Sequence, residues 1–170
     1  IDAEFYGSKS ENLSAIKNNP NYQYEKGNIN DIKLMEKLVN DNDIIINFAA
    51  ESFVDRSISN AKPFLKSNVE GIFTILELIK NKNKKLIHIS TDEVYGSLNQ
   101  QSAIEETRFN PSSPYSATKA AAELLINSYV KTYDSDCVIT RCTINYGPYQ
   151  FPEKLIPKTI ILAYYDKEIP

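Results

Sequence analysis

Three runs of the chain, residues 43–50, 85–90 and 136–141, are dominated by β-branched and other apolar side chains and show no helical spacing. Short continuous apolar runs of this kind predict strands buried on both faces of a parallel sheet. Residues 31–39, 63–80 and 114–133 instead place apolar side chains three and four positions apart, the spacing of a helix with one buried face. Strand and helix alternate, so the expected fold class is α/β with a doubly wound parallel sheet. Such sheets bind their ligands beyond the carboxyl ends of the strands. Polar residues just after each apolar run are therefore the first candidates for a site.

Composition narrows the picture. With 170 residues, 42% hydrophobic and 24% charged, the chain is large enough for one packed core. A net charge of -3 argues against the broad basic surface that nucleic-acid binding requires. The lysines at 80, 82, 84 and 85 read as a solvated turn. The two cysteines, Cys137 and Cys142, fall an odd number of positions apart on one predicted strand, so they point to opposite faces and suggest neither a disulfide nor a metal site. No apolar run reaches membrane-spanning length and no charged-then-apolar leader opens the chain, so a soluble, cytoplasmic protein with no membrane partner is expected.

Candidate chemistry concentrates at two places. Ser113-Pro114-Tyr115 has the form of a helix start, with serine as N-cap and proline at the first helical position. Tyr115 and Lys119 then share a helix face. An ammonium beside a phenol favours the phenolate, so the tyrosine pKa is expected to fall from about 10 towards the range of a general base. The second place is the end of the apolar run 85–90, which leads into Thr91-Asp92-Glu93. Two carboxylates in unlike surroundings can divide into a proton donor and a proton acceptor. They can equally cap the turn that follows, as can the Thr91 hydroxyl. His88, framed by Ile87 and Ile89, reads as a structural residue of a packed strand.

The segments Ser-Thr-Asp-Glu-Val-Tyr-Gly from Ser90, Pro-Tyr-Ser-Ala-Thr-Lys from Pro114, and Asn-Tyr-Gly-Pro-Tyr-Gln-Phe-Pro-Glu-Lys-Leu-Ile-Pro from Asn145 resemble the nucleotide-sugar 4,6-dehydratases. These belong to the extended short-chain dehydrogenase/reductase superfamily, and the likeness is nearest to the dTDP-glucose 4,6-dehydratases. The Thr-Asp-Glu triplet separates them from the sugar epimerases of that superfamily, whereas Tyr-x-x-x-Lys identifies only the superfamily.

The resemblance implies a Rossmann-like domain over residues 1–148, lacking its first strand and glycine-rich loop, and the start of a substrate-binding region over 149–170. No G-x-G-x-x-G run is present. Without that loop's anion site the isolated chain is expected to bind NAD poorly and to be inactive.

The resemblance further implies a lyase. Tyr115 would take the proton of the sugar 4-hydroxyl as hydride passes to NAD+, with Lys119 on the nicotinamide ribose and Thr91 on the reacting oxygen. Glu93 would remove the carbon-5 proton and Asp92 would protonate the leaving 6-hydroxyl. Asp2, Asn28, Ile29, Phe48, Ala49, Ala50, Ser52, Ser67 and Asn145 match cofactor-contacting positions, as does Asn68 beside Ser67. Ser52, Thr91, Lys154 and Leu155 match substrate-contacting ones. Two positions depart from the family pattern: Phe53 stands where a histidine is usual, and Ile144 where an asparagine is. A homodimer built on the helices over 63–80 and 114–133 is also implied. The alternatives are a catalytically incompetent or truncated nucleotide-sugar-binding domain and a related nucleotide-sugar epimerase.

Overall fold

In the computed structural model, which describes residues 1–98 and 102–169, the three apolar runs become strands β1 (Ile44–Asn47), β2 (Lys85–Thr91) and β3 (Asp136–Cys142). They pair in parallel in the order β1-β2-β3. Helix α1 (Ile32–Asp41) precedes β1 and is capped by the Asp31 carboxylate, which accepts from the Leu34 amide at 3.2 Å. Helices α2 (Val54–Ser59), α3 (Lys62–Phe64) and α4 (Gly71–Ile79) connect β1 to β2, and α5 (Pro114–Tyr133) connects β2 to β3. The alternation that the spacing predicts is thus realised as a parallel sheet with flanking helices.

Register decides what the helices cover. Ile45, Leu86 and Cys137 lie side by side across the sheet and pack under Met35 and Val39 of α1, Ile72, Ile75, Leu76 and Ile79 of α4, and Ala122 and Ile126 of α5. Alternate side chains point the other way. Ile44, Ile46 and Val138 are accordingly 56%, 53% and 41% exposed. The expectation of a first strand buried on both faces is corrected here: among the described residues the helices α1, α4 and α5 share one core, and β1 turns two of its isoleucines away from it. The strand also ends at Asn47 rather than Ala50, because the Asn47 side chain accepts from the Ala49 amide at 3.1 Å and turns the chain out of the ladder.

The helical spacing over 63–80 is interrupted. Leu65–Glu70 winds as a π-helix between α3 and α4, and this wider turn carries Asn68 into the interior. There Asn68 accepts from the Glu51 amide at 2.9 Å and donates to the Glu51 carbonyl and to Thr118 Oγ1, both at 3.0 Å. The lysine-rich turn is more engaged than a solvated loop. Lys82 and Lys84 donate to Asn40, Lys84 also to Asp43, and Lys85 pairs with Asp136.

By internal contacts the chain divides into two units. Residues Ile1–Ala3 and Glu25–Thr143 form the sheet unit, and Glu4–Tyr24 with Ile144–Pro170 form the other. In the second, Tyr6 packs edge-on against Phe151 with ring centres 5.1 Å apart and donates to Glu153 at 2.9 Å. Helix α6 (Leu155–Tyr164) lies in this unit and buries none of its residues. No helix among the described residues is long and apolar enough to cross a membrane.

Leu76 is fully buried in the shared core, so Leu76→Ala removes packed methyl groups and leaves a cavity. The substitution should cost about 2–5 kcal/mol, read from urea denaturation of the protein. A loss below about 1 kcal/mol would show that α4 is not anchored as described.

Candidate active site

The helix-facing side of the sheet changes character towards the carboxyl ends of its strands. One row past Ile45, Leu86 and Cys137 come Asn47 and His88, and beyond them Ser90 and Arg141. Asn47, His88 and Ser90 are all buried, so each needs a partner. Helix α5 supplies several of them, because Tyr115, Lys119 and Glu123 recur every fourth residue on its buried face.

Helix α5 starts at a fixed point. Ser113 and Ser116 form a reciprocal capping box, Ser113 Oγ accepting from the Ser116 amide and Ser116 Oγ from the Ser113 amide. Ser57 of α2 accepts from the Tyr115 amide at 3.1 Å and donates to the Val54 carbonyl at 2.6 Å. The Tyr115 ring packs edge-on against Phe64, 6.3 Å between centres. Backbone and ring are therefore both held before any ligand enters.

Below Tyr115, β2 ends in a tight 3-10 turn, Asp92–Tyr95, capped by Thr91. Thr91 Oγ1 accepts from the Glu93 amide and donates to Asp92 Oδ1, each at 3.3 Å. Val94 and Tyr95 are buried against Ala120 and Phe109, which leaves Asp92 half-buried and Glu93 exposed. The turn closes at Gly96, whose φ of 69° is left-handed and whose missing side chain is required. A Cβ there would lie 1.9 Å from the Asn110 carbonyl oxygen.

The electrostatics of Tyr115 reverse the expectation from sequence. Burial raises its pKa first, the Glu93 charge raises it further, a hydrogen bond with Thr91 offsets part of this, and Asp92 adds to the rise. Lys119 does not pull it down in the chain alone, because the ammonium is turned elsewhere. Its Nζ donates to the Ile89 carbonyl at 2.6 Å and lies 3.4 Å from His88 Nε2. Burial brings the Lys119 pKa down to about 8, against the opposing pull of Glu123 and Cys142. His88 is held neutral, its pKa pushed down to about 3 by burial and then by the Lys119 charge.

Glu123 is the buried anion of the region, with none of its surface exposed. Arg141 meets it with Nε and Nη2 at 3.0 and 2.7 Å from Oε2, Ser90 Oγ donates to Oε1, and Arg141 Nη1 donates to Tyr95 Oη and to the Glu105 carbonyl. The guanidinium also stacks over Tyr95 and Phe109, 5.1 Å from each ring centre.

The remaining candidates fall into four groups. Phe48, Ala49 and Ser52 are exposed and Ala50 half-buried on the segment after β1, which Asn68 anchors through Glu51. Ser67 lies half-buried in the π-helical stretch, and Phe53 half-buried just before α2. Asp2 is exposed and its backbone pairs with that of Lys26 in an isolated parallel bridge, Asn28 Oδ1 accepts from the Asn30 amide at 2.9 Å, and the Ile29 side chain belongs to the main core. Asn145, Lys154, Leu155 and Ile144 lie in the second unit.

Sequence reasoning passed over Ser57, Asn47, Glu123 and Arg141. Glu123 carried a signal, being the next step in the series 115, 119, 123. The others depend on pairings between distant segments.

A family profile described as GDP-mannose 4,6 dehydratase matches residues 2–169. The chain belongs to that family. It is 44% identical to the low-salt glycan biosynthesis protein Agl12 of Haloferax volcanii, over 100% of this chain and 55% of that protein. It is also 44% identical to the dTDP-glucose 4,6-dehydratase of Mycobacterium tuberculosis, over 94% of this chain and 49% of that protein. Among solved structures, the dTDP-glucose 4,6-dehydratase DesIV of Streptomyces venezuelae with NAD and TYD bound superposes with a TM-score of 0.95 at 40% identity, covering 99% of this chain and 53% of that one. The chain thus spans about half the length of the relatives it matches.

The Glu123–Arg141 pair gives a direct test of what holds the polar end of this sheet together. Arg141→Met leaves the Glu123 carboxylate buried without its cation and should cost about 3–5 kcal/mol. The double change Glu123→Leu with Arg141→Met removes both charges and should recover most of that loss. Denaturant titration of both variants decides it, and equal losses would show that shape rather than charge pairing matters.

Proposed function

We propose that this chain carries the catalytic half of an NAD-dependent nucleotide-sugar 4,6-dehydratase, a lyase that converts dTDP-glucose to dTDP-4-keto-6-deoxyglucose. The observation that carries the reading is the unequal acid pair. Asp92 is half-buried and hydrogen-bonded by Thr91, Glu93 is exposed, and both carboxylates act on Tyr115. Oxidation of an alcohol alone needs neither, whereas elimination of water beside a ketone needs one acid and one base. An epimerase has no use for the pair.

The residues present fit a dinucleotide. The exposed Asp2 carboxylate suits a ribose hydroxyl, and the uncovered Ala49 leaves the end of β1 open to a flat ring. Asn28, Ile29, Phe48, Ala50, Ser52, Ser67 and Asn145 complete the set that would hold it, with Lys119 and Tyr115 beside the nicotinamide end. Bound NAD+ would accept hydride from carbon 4 of the sugar and return it to carbon 6.

The chain's own groups manage the protons. Tyr115 takes the proton of the 4-hydroxyl, with Thr91 hydrogen-bonding the same oxygen. Because burial and Glu93 hold the Tyr115 pKa up, its phenolate depends on positive charge brought near it. Once carbon 4 is a ketone, Glu93 removes the acidified carbon-5 proton and Asp92 protonates the departing hydroxyl. Ser52, Lys154 and Leu155 bind the nucleotide sugar in this reading.

In this assignment residues 1–148 make up the NAD-binding domain and 149–170 begin the substrate-binding region. A second copy of the protein is the proposed partner. Two packed helices, α4 and α5, expose Phe73 and Leu124 respectively, apolar side chains that a helix bundle would cover. The relatives' biosynthetic roles support a cytoplasmic location.

The full-length protein purified with bound NAD+ should release from dTDP-glucose a 4-keto-6-deoxy product, detected by its absorbance in alkali. Absence of product from every nucleotide glucose would end the proposal. Asp92→Asn should lower turnover by about 10²–10⁴-fold while reduced nicotinamide still accumulates on mixing. Equal loss of both steps would count against an acid role for Asp92.

A further inference from the structure

The hydrogen-bond chain behind Lys119 constrains which protons it carries. The Ala49 amide donates to Asn47 Oδ1 at 3.1 Å, which fixes the orientation of the Asn47 amide group. Its Nδ2 is then the donor towards His88 Nδ1, 3.2 Å away. A neutral imidazole that accepts at Nδ1 carries its hydrogen on Nε2. That N–H points at Lys119 Nζ, 3.4 Å distant.

An ammonium has no lone pair, so His88 Nε2–H and a charged Lys119 face each other donor to donor. The uncharged amine has a lone pair and turns the same contact into a hydrogen bond. The other tautomer offers no escape, because its Nδ1–H would oppose the Asn47 amide hydrogens. Asn47, His88 and Lys119 are all buried, so water does not relieve the conflict.

We propose that Asn47 and His88 are positioning residues that hold one imidazole tautomer against Lys119 and thereby favour its uncharged amine. The other groups facing Lys119 act the opposite way or are already engaged. From β2 the Ile89 carbonyl accepts one of its hydrogens. Glu123, one turn along α5, raises its proton affinity, but Arg141 neutralises that carboxylate. The Cys142 thiol of β3 also raises it, and Tyr115 lies one turn before it on α5. Burial already brings the Lys119 pKa down to about 8, and the tautomer acts in the same direction. The lysine thus gives up its charge just above neutral pH, where an ordinary lysine holds it to about 10.4.

The test needs no activity. In the full-length protein, ¹⁵N NMR of His88 should show the hydrogen on Nε2, and the pH dependence of Lys119 acetylation by a trace anhydride should report its titration. Asn47→Asp offers an acceptor to Nδ1–H and should reverse the tautomer. His88→Gln, which adds no charge, presents a carbonyl oxygen to Lys119. Both variants should raise the Lys119 titration midpoint by about one pH unit or more. A wild-type Nδ1–H tautomer would overturn the proposal, as would a rise in Asn47→Asp alone, which marks a charge effect only. Unchanged midpoints in both variants would do the same.

The kinetic consequence rests on the dehydratase reading: the basic limit of kcat/KM should move up with the labelling midpoint in both variants. If no nucleotide sugar is turned over, that reading fails while the labelling and NMR results still decide the role of Asn47 and His88.

Discussion

The buried carboxylate of Glu123 is the constraint on which the sheet unit's polar end depends. It has no exposed surface, and an isolated charge there would be untenable. Ser90 of β2 and Arg141 of β3 converge on it, and Arg141 reaches on to Tyr95 in the turn that carries the acid pair. One side chain of α5 therefore ties together two strands and the turn Asp92–Tyr95. Apolar packing at Ile45, Leu86 and Cys137 supplies the cohesion of the other end, but it leaves rotation and sliding of α5 less determined. The ion pair fixes both, because bidentate guanidinium–carboxylate contacts tolerate little misalignment.

The same helix sets the spacing of the candidate catalytic groups. Its origin is fixed at Ser113 by the capping box and at the Tyr115 amide by Ser57, and its middle by Glu123. Tyr115 and Lys119 lie between these two anchors. Position is then a property of the scaffold, as a site built on regular elements requires. Asn68 fastens the segment after β1 to Thr118, so that segment is tied to the same helix.

Much of this was legible in the sequence, for reasons that can be named. The strands 85–90 and 136–141 and the helix over 114–133 are long, strongly patterned and properly capped, and local rules suffice for them. The motif residues Thr91, Asp92, Glu93, Tyr115 and Lys119 were picked out through spacing and resemblance, and the structure gathers the first three around Tyr115. What failed needed tertiary information. The exposure of Ile44 and Ile46 follows from which face the helices cover, which an isoleucine run does not encode. The π-helical turn at Leu65–Glu70 answers to the hydrogen bonds of Asn68 with Glu51 and Thr118. The direction of the Tyr115 shift failed because sequence spacing put Lys119 beside the phenol, whereas the fold spends the ammonium on Ile89 and His88.

The shifts of Tyr115 and Lys119 have a common meaning. Burial raises one and lowers the other, so each group is pushed towards its neutral form. With its pKa raised and Lys119 turned towards Ile89, the Tyr115 phenol stays protonated and is a weak base in the chain alone. Any positively charged ring bound nearby would lower the Tyr115 pKa, and by reciprocity an ionised Tyr115 would tighten the binding of that ring. A bound ring of that charge would thus supply what the buried phenol lacks. Glu93 and Asp92, whose charges raise the Tyr115 pKa further, strengthen that dependence: with both carboxylates ionised the phenol holds its proton until a compensating positive charge is in place.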